Sequence, residues 1–313
     1  MSGLPIDFAP GLPADGYAWW YLDALADDGR HGLTVIFFIG SVFSPHYARA
    51  RRRGPTPPVA HCAVNAILYG PTRRWAFSEY GAQVLRQSTT QLAIGQSAMR
   101  WDGARLRVDL RERCTPLPWA LRGELAFEPT TLLDRRVALD AAGRHQWQPI
   151  APHGRLDLRL ANPPLRWQGD AYFDTNHGVR PLETDFQDWH WSRSHGGGDT
   201  HLYYDLHGVD GSRRAHALQI TAGGICEDVA SPPVCALPST PLWRMPRVTR
   251  ADGGKAEIIA TWEDTPFYAR SLIASEIGGV RRTAVHESLS LRRFVNPLVQ
   301  RMLPFRLRRV GAR

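Results

Sequence analysis

The chain is a succession of short runs in which apolar residues alternate with polar ones or cluster. Each run ends at a Gly, Pro or Asp turn, and no long segment repeats its apolar residues at the helical period of 3.6. YAWWYLDA at 17–24 reads as a strand by its aromatic residues, Asp27-Asp28-Gly29-Arg30 as a hairpin turn, and HGLTVIFFIGSV at 31–42 as a returning strand buried on both faces. Further strands are expected at 62–69, 74–80, 104–110, 117–127, 130–139, 156–160, 214–221, 256–262, 267–275 and 284–291, with 82–100 weakly patterned. Many short strands at this spacing predict an all-β chain of barrels or sandwiches.

Two segments depart from the pattern. SPHYARARRRGPTPPVA at 44–60 reads as a basic, Pro-rich loop: a solvated excursion, a flap over a ligand mouth, or a contact with anionic lipid. The tail, FVNPLVQRMLPFRLRRVGAR at 294–313, interleaves apolar residues with arginines, and Pro297 and Pro304 prevent one continuous helix. Such a tail suits a membrane interface, or docks on its own domain with an Arg-decorated outer face.

A length of 313 residues allows one large domain or two ordinary ones. The net charge of +8 favours an anionic partner. The arginines are scattered rather than gathered on a recognisable module, so nucleic-acid binding is not expected. The N-terminus lacks the basic and apolar regions of a secretory signal, and no apolar run is long enough to span a membrane, so a soluble or peripheral protein is expected. Cys62, Cys114, Cys226 and Cys235 form no CxxC pair. Cys226 and Cys235 bridge a loop in an oxidising compartment or stay reduced in the cytosol. GxSxG, Walker, GxGxxG and HExxH motifs are absent, which argues against serine hydrolases, P-loop enzymes, Rossmann dehydrogenases and zinc peptidases.

Ionisable residues concentrate in the centre: five of the twelve histidines fall between His177 and His207, threaded with aspartates and paired aromatics. Strand parity places His201, Tyr203, Asp205 and His207 on one face and Leu202, Tyr204 and Leu206 on the other. In DFQDWHWSR, Trp189, Trp191 and Arg193 share a face, opposite Asp188 and His190. In DAYFDTNHG, Asp174 and Asn176 share a face, and His177 sits at the strand end to orient a carboxylate or water. His201, Asp205 and His207 have strand spacings that suit metal ligands, but nothing singles out a further ligand, and no metal site is expected.

The run Tyr172-Phe173-Asp174-Thr175-Asn176-His177-Gly178, with Pro181-Leu182-Glu183, Phe186 and Trp189-His190-Trp191-Ser192-Arg193, resembles bacterial carotenoid 1,2-hydratases. The opening Trp19-Trp20-Tyr21 and the closing Leu303-Pro304-Phe305-Arg306 are similar too. The resemblance implies two tandem lipocalin-like β-barrel domains, here 1–182 and 183–313, the second carrying the Arg-rich tail. It implies a hydro-lyase that adds water to the terminal C1=C2 bond of acyclic carotenoids such as neurosporene and lycopene without a cofactor. The setting it implies is the bacterial cytoplasm, peripheral to the inner photosynthetic membrane.

The family pattern also implies an aspartate two residues after a tyrosine, with a histidine and a tryptophan upstream. Tyr203 and Asp205 are expected to fill the first pair. His190 with Trp191, or His177, is expected upstream. On this reading Asp205, kept protonated by an apolar cavity and oriented by Tyr203, protonates C2. Trp189 and Trp191 face the resulting cation, and a histidine-held water captures C1. Tyr204, Arg193, Asp174 and Asn176 are expected to contact substrate. The same residues also fit a non-catalytic carrier of polyenes, or a cyclase or isomerase acting on another polyene or terpenoid.

Overall fold

A computed structural model describes residues 5–311. The chain opens with β1 (Tyr17–Ala26), β2 (Gly32–Ile39), β3 (Cys62–Tyr69) and β4 (Arg74–Tyr80), each antiparallel to the one before. On its other side β1 pairs Leu165–Gly178, and the sheet continues through His145–Asn162, Ala120–Pro129, Leu106–Arg113 and three shorter strands. The sheet curls, so that β3 approaches Gln91–Ile94 and β4 approaches Leu106–Arg113. Strands far apart in pairing order thereby bury a common core. Trp20 and Leu22 of β1, Val35 and Phe37 of β2, Val64 of β3, Leu158 and Phe173 all belong to it.

The other residues of β1 are buried as well: Tyr17, Trp19, Tyr21 and Asp23 alternate with the core residues and face the opposite side of the sheet. That second buried face carries the chemistry described below.

A separate antiparallel sheet runs in the order Cys226–Asp228, Arg213–Ile220, Asp199–Gly208, Phe186–Gly196, Val280–Ser290, Tyr268–Ile277, Ala256–Asp264, accompanied by a two-stranded ribbon of Val234–Leu237 and Arg247–Arg250. The chain divides into two compact units, Met1–Pro181 with Arg301–Arg313, and Leu182–Gln300. Cys62, Cys114 and Cys235 are free thiols. No described helix is long and apolar enough to cross a membrane.

Four expectations change. Within the supposed loop 44–60, Pro45–Arg51 is a helix, because the Ser44 hydroxyl accepts the His46 and Tyr47 N–H groups and Pro45 fits its first turn. Tyr47 anchors it by donating to the Gly16 carbonyl at 2.7 Å. Of the strand expected at 130–139 only Val137–Ala138 pairs. The weakly patterned 82–100 holds three short strands. The tail does not stay with the second unit: Arg308 and Arg309 pair with Ser78 and Glu79, covering the edge that β4 otherwise leaves open.

Glu112 lies among the core residues of Leu106–Arg113, 2% exposed, accepting from the Ser97 hydroxyl at 2.7 Å and the Tyr80 hydroxyl at 3.1 Å. Burial holds its carboxyl above the ordinary glutamate value. The folded chain therefore keeps a proton that the unfolded chain releases, and stability declines as pH rises from the ordinary value toward the folded one. Glu112→Gln removes that dependence. Its denaturation midpoint is expected to gain on the wild type as pH rises above the ordinary glutamate value, measured by urea titration.

Candidate active site

The second face of the first sheet is assembled by register. Tyr21 lies opposite Asp174, Asp23 opposite Tyr172, Trp19 opposite Asn176, and Tyr17 opposite Gly178. On the other flank, Trp147 lies opposite Asn176 and His145 opposite Gly178. Directly opposed residues point to the same side of a sheet. Two Tyr-x-Asp pairs, 21/23 and 172/174, therefore run head to tail against each other, with His145 and Trp147 beside them.

One carboxylate oxygen of Asp174 accepts from the Tyr172 hydroxyl at 2.7 Å and from the Trp147 indole N–H at 2.9 Å. Tyr172 and Trp147 are fully buried and Asp174 is 5% exposed. The Tyr21 ring stands edge-on to Tyr172 at 6.2 Å. Trp19 stacks on Tyr17 at 5.1 Å, and Tyr17 hydrogen-bonds His145 Nδ1 at 2.8 Å with the two rings stacked. Aromatic contact continues from Trp19 to Phe38 at 6.2 Å and from Phe38 to Phe77 at 6.0 Å, crossing from β1 to β4. The donors that meet this carboxyl oxygen are neutral, a phenol and an indole. Such a setting stabilises a carboxylate formed by proton release while the surrounding rings offer π-faces to a developing cation.

Gly178 is required by this packing. A Cβ there would lie 2.5 Å from the Tyr17 ring and 2.6 Å from His145 Nδ1. Asn176 shares the face and is 3% exposed. His177 points the other way, with Thr175 and Phe173, and burial is the first cause lowering its imidazole pKa. The strand period separates His177 from Asp174 and Asn176.

In the second unit Asp205 lies opposite His190, and Tyr203 opposite Ser192. An apolar cavity around Asp205 is not what the fold builds: Arg250 donates three hydrogen bonds to its oxygens, from Nε at 3.1 and 3.0 Å and from Nη2 at 2.5 Å. The same bonds are the leading cause raising the Arg250 pKa. Tyr203 does not hold Asp205. Its ring packs with Ala217 and Ile277, and its phenol is pushed up to about 12 by burial and then by the charge of Asp252.

His190 Nδ1 meets Ser288 Oγ at 2.8 Å and its ring stacks near His286. Burial pushes His190 down to about 3 and His286 down to about 4, so both are neutral at neutral pH. His207 Nδ1 pairs with Asp188 at 2.6 Å. Trp189, Trp191, Arg193 and Tyr204 lie on the opposite face, where Trp189 meets Tyr204 edge-on at 6.2 Å. The expected box of Asp205, His190 and two indoles is thus divided between two sides of one sheet. Among the described residues no group of three or more His, Cys, Asp or Glu is placed to hold a metal.

Sequence reasoning passed over His145, Trp147 and Tyr172 as site residues. The signal was present. Tyr-x-Asp occurs at 21/23, 172/174 and 203/205, and only 172/174 has a His-x-Trp, 145/147, on the strand that becomes its neighbour.

Gly178→Ala is expected to separate Tyr17 from His145, costing about 1–3 kcal/mol in a denaturant titration. Arg250→Met strands a partly buried carboxylate and is expected to cost about 1–3 kcal/mol. Adding Asp205→Asn should recover most of that loss, which a double-mutant cycle measures directly.

A family model described as carotenoid hydratase CrtC matches residues 35–313. The chain is 48% identical over 298 residues to the acyclic carotenoid 1,2-hydratase of Thiocapsa roseopersicina, covering 95% of this chain and 74% of that one. It is 41% identical over 309 residues to the acyclic carotenoid 1,2-hydratase of Rubrivivax gelatinosus, covering 96% and 75%. A solved structure from Nitrosomonas europaea, whose assignment as AttH is itself provisional, superposes with a TM-score of 0.63 at 14% identity over 91% of this chain and 95% of that one, a likeness of fold alone.

Proposed function

The chain belongs to the carotenoid hydratase family CrtC, and from that premise we propose that it adds water across the terminal C1=C2 bond of an acyclic carotenoid, as a hydro-lyase. We read its two units as two lipocalin-like half-barrels. The observation that carries the mechanism is the Asp174 oxygen held by Tyr172 and Trp147 within an aromatic wall.

Protonating a trisubstituted alkene places the positive charge on the tertiary carbon. In this reading the Asp174 carboxylic acid gives its proton to C2, and the cation forms at C1. The carboxylate left behind is stabilised by the Tyr172 hydroxyl and the Trp147 N–H, whose bonds strengthen as charge develops. Tyr21 and Trp19, on the same face, present π-faces toward that charge. A water activated by His145, whose ring is fixed through Nδ1 by Tyr17, captures C1. The proton lost by that water replaces the one Asp174 spent, so no net proton is consumed. Asn176 orients the chain end from the neighbouring position. The ring ladder through Phe38 to Phe77 is apolar and suits a polyene.

The second-unit cluster around Asp205 and Arg250 supports structure in this reading. Trp189, Trp191, Arg193 and Tyr204 share one face of the second unit's own sheet and remain candidates for contact with an apolar ligand within that unit.

The test is anaerobic incubation of purified protein with lycopene or neurosporene in detergent, followed by mass analysis. A gain of one water per hydrated end is expected. Asp174→Asn is expected to lower turnover about 10³-fold while leaving the fold intact by circular dichroism, and Tyr172→Phe about 10-fold to 10²-fold. Asp205→Asn should retain turnover. Undiminished hydration by Asp174→Asn would move the acid elsewhere, and a tightly bound pigment with no product would favour a carrier.

A further inference from the structure

We propose that one edge of the first unit, made by the outer part of β4, the segment 115–119 and the tail segment 303–309, is a docking surface for an anionic lipid bilayer. The proposal deepens the hydratase reading, since it names the surface from which an insoluble polyene is loaded.

The edge is built from three segments far apart in the chain. The Arg306 carbonyl accepts from the Trp75 indole N–H at 3.1 Å and from the Thr115 hydroxyl at 2.9 Å. The Arg306 guanidinium lies over the Trp75 ring at 4.7 Å, and the Arg74 guanidinium over the Trp119 ring at 4.6 Å. Trp119 donates its backbone N–H to Leu117 at 2.8 Å, folding Leu117 back beside it. Two ring–guanidinium pairs, Arg306 on Trp75 and Arg74 on Trp119, thus sit on neighbouring residues of β4, with Phe305 and Leu117 close to them in the chain.

Three apolar side chains of this patch are exposed. Phe305 is 76% exposed, Leu117 53% and Trp119 52%. A lone exposed apolar residue needs no explanation, but a cluster of them interleaved with cations does. Indole rings and arginines together are what the headgroup region of a bilayer accommodates: the rings sit at acyl-chain depth and the guanidinium groups meet phosphate. Stacking on Trp75 occupies a face of the Arg306 guanidinium and leaves its N–H edge for phosphate oxygens, while Arg74 donates Nη1 to the Arg73 carbonyl at 2.9 Å.

The charge is one-sided. The segments 71–80, 113–119 and 301–311 contain Arg73, Arg74, Arg113, Arg301, Arg306, Arg308 and Arg309, against Glu79 as their one acidic residue. Glu79 is fully buried, bonded to Ser44 at 2.6 Å and His61 at 2.6 Å, so no carboxylate of these segments stands at the surface among the arginines. An acidic protein surface would match the charge, but it offers no acyl depth for Phe305, Leu117 and Trp119, which favours lipid.

The position also fits. Trp75, Phe77 and Glu79 lie on the same face of β4, and Phe77 ends the ring ladder that begins beside Asp174. Four strand spacings, about 19 Å, separate the strand of Asp174 from β4. A polyene entering at the lipid-facing edge has a continuous aromatic path inward.

The experiment compares wild type, Trp119→Ala/Phe305→Ala and Arg308→Glu/Arg309→Glu. Each is floated with phosphatidylcholine vesicles, with and without phosphatidylglycerol, at low and high salt. Turnover is then measured on carotenoid supplied in those vesicles and in detergent micelles. Wild type is expected to bind the anionic vesicles and to release from them at high salt. Both variants should bind about tenfold less and lose vesicle turnover in proportion, with micellar turnover unchanged. Unchanged vesicle binding by both variants, or equal wild-type binding to neutral and anionic vesicles, overturns the proposal. Failure of wild type to hydrate carotenoid in micelles overturns the hydratase reading instead, and vesicle binding still judges the docking surface.

Discussion

The register between β1 and Leu165–Gly178 is the constraint on which the candidate site depends. Sliding either strand by one residue would turn Tyr17, Trp19, Tyr21, Tyr172, Asp174 and Asn176 to the face now occupied by Trp20, Leu22 and Phe173. Both faces are buried, so such a slip would place a carboxyl in a packed hydrocarbon core and pull indoles out of it. The cost on both sides pins the pairing. The pinned pairing in turn holds Asp174 within reach of Trp147, a residue from the opposite flanking strand.

Asp174 and Asp205 are held in different ways. In the first unit, Asp174 is met by a phenol and an indole, which stabilise negative charge without committing the group to it. In the second, Asp205 is met by the Nε–Nη2 edge of a guanidinium, and Arg270 is likewise paired with Glu287. Ion pairs of that kind lock a charge state, and a group that gains and loses a proton in each cycle is poorly served by them. His190 and His286, held neutral by burial against Ser288 and the Val248 carbonyl, give the second unit a rigid polar interior. In the proposed mechanism the histidine-rich centre serves as scaffold, and the chemistry falls to the quieter strands before it.

Period-two patterning by itself determined the all-β character, the opening hairpin and the division of His190 from Trp189 and Trp191, because side-chain direction alternates in any strand. The resemblance carried by YFDTNHG and the tryptophan-rich segment after it pointed to the right family. Local chemistry is legible in part: Ser44-Pro45 caps a helix whose arginines resemble a solvated run and mask it in the sequence. Which of three Tyr-x-Asp pairs forms a site was not legible, since all three put their members on one strand face. Only tertiary structure sets the three pairs apart, by laying His145 and Trp147 alongside Asp174 and by bringing Arg250 from 45 residues away onto Asp205, just as it alone returns the Arg-rich tail to the open edge of β4. Each is a contact between segments distant in the chain, set by strand pairing and edge satisfaction, and no local pattern encodes it.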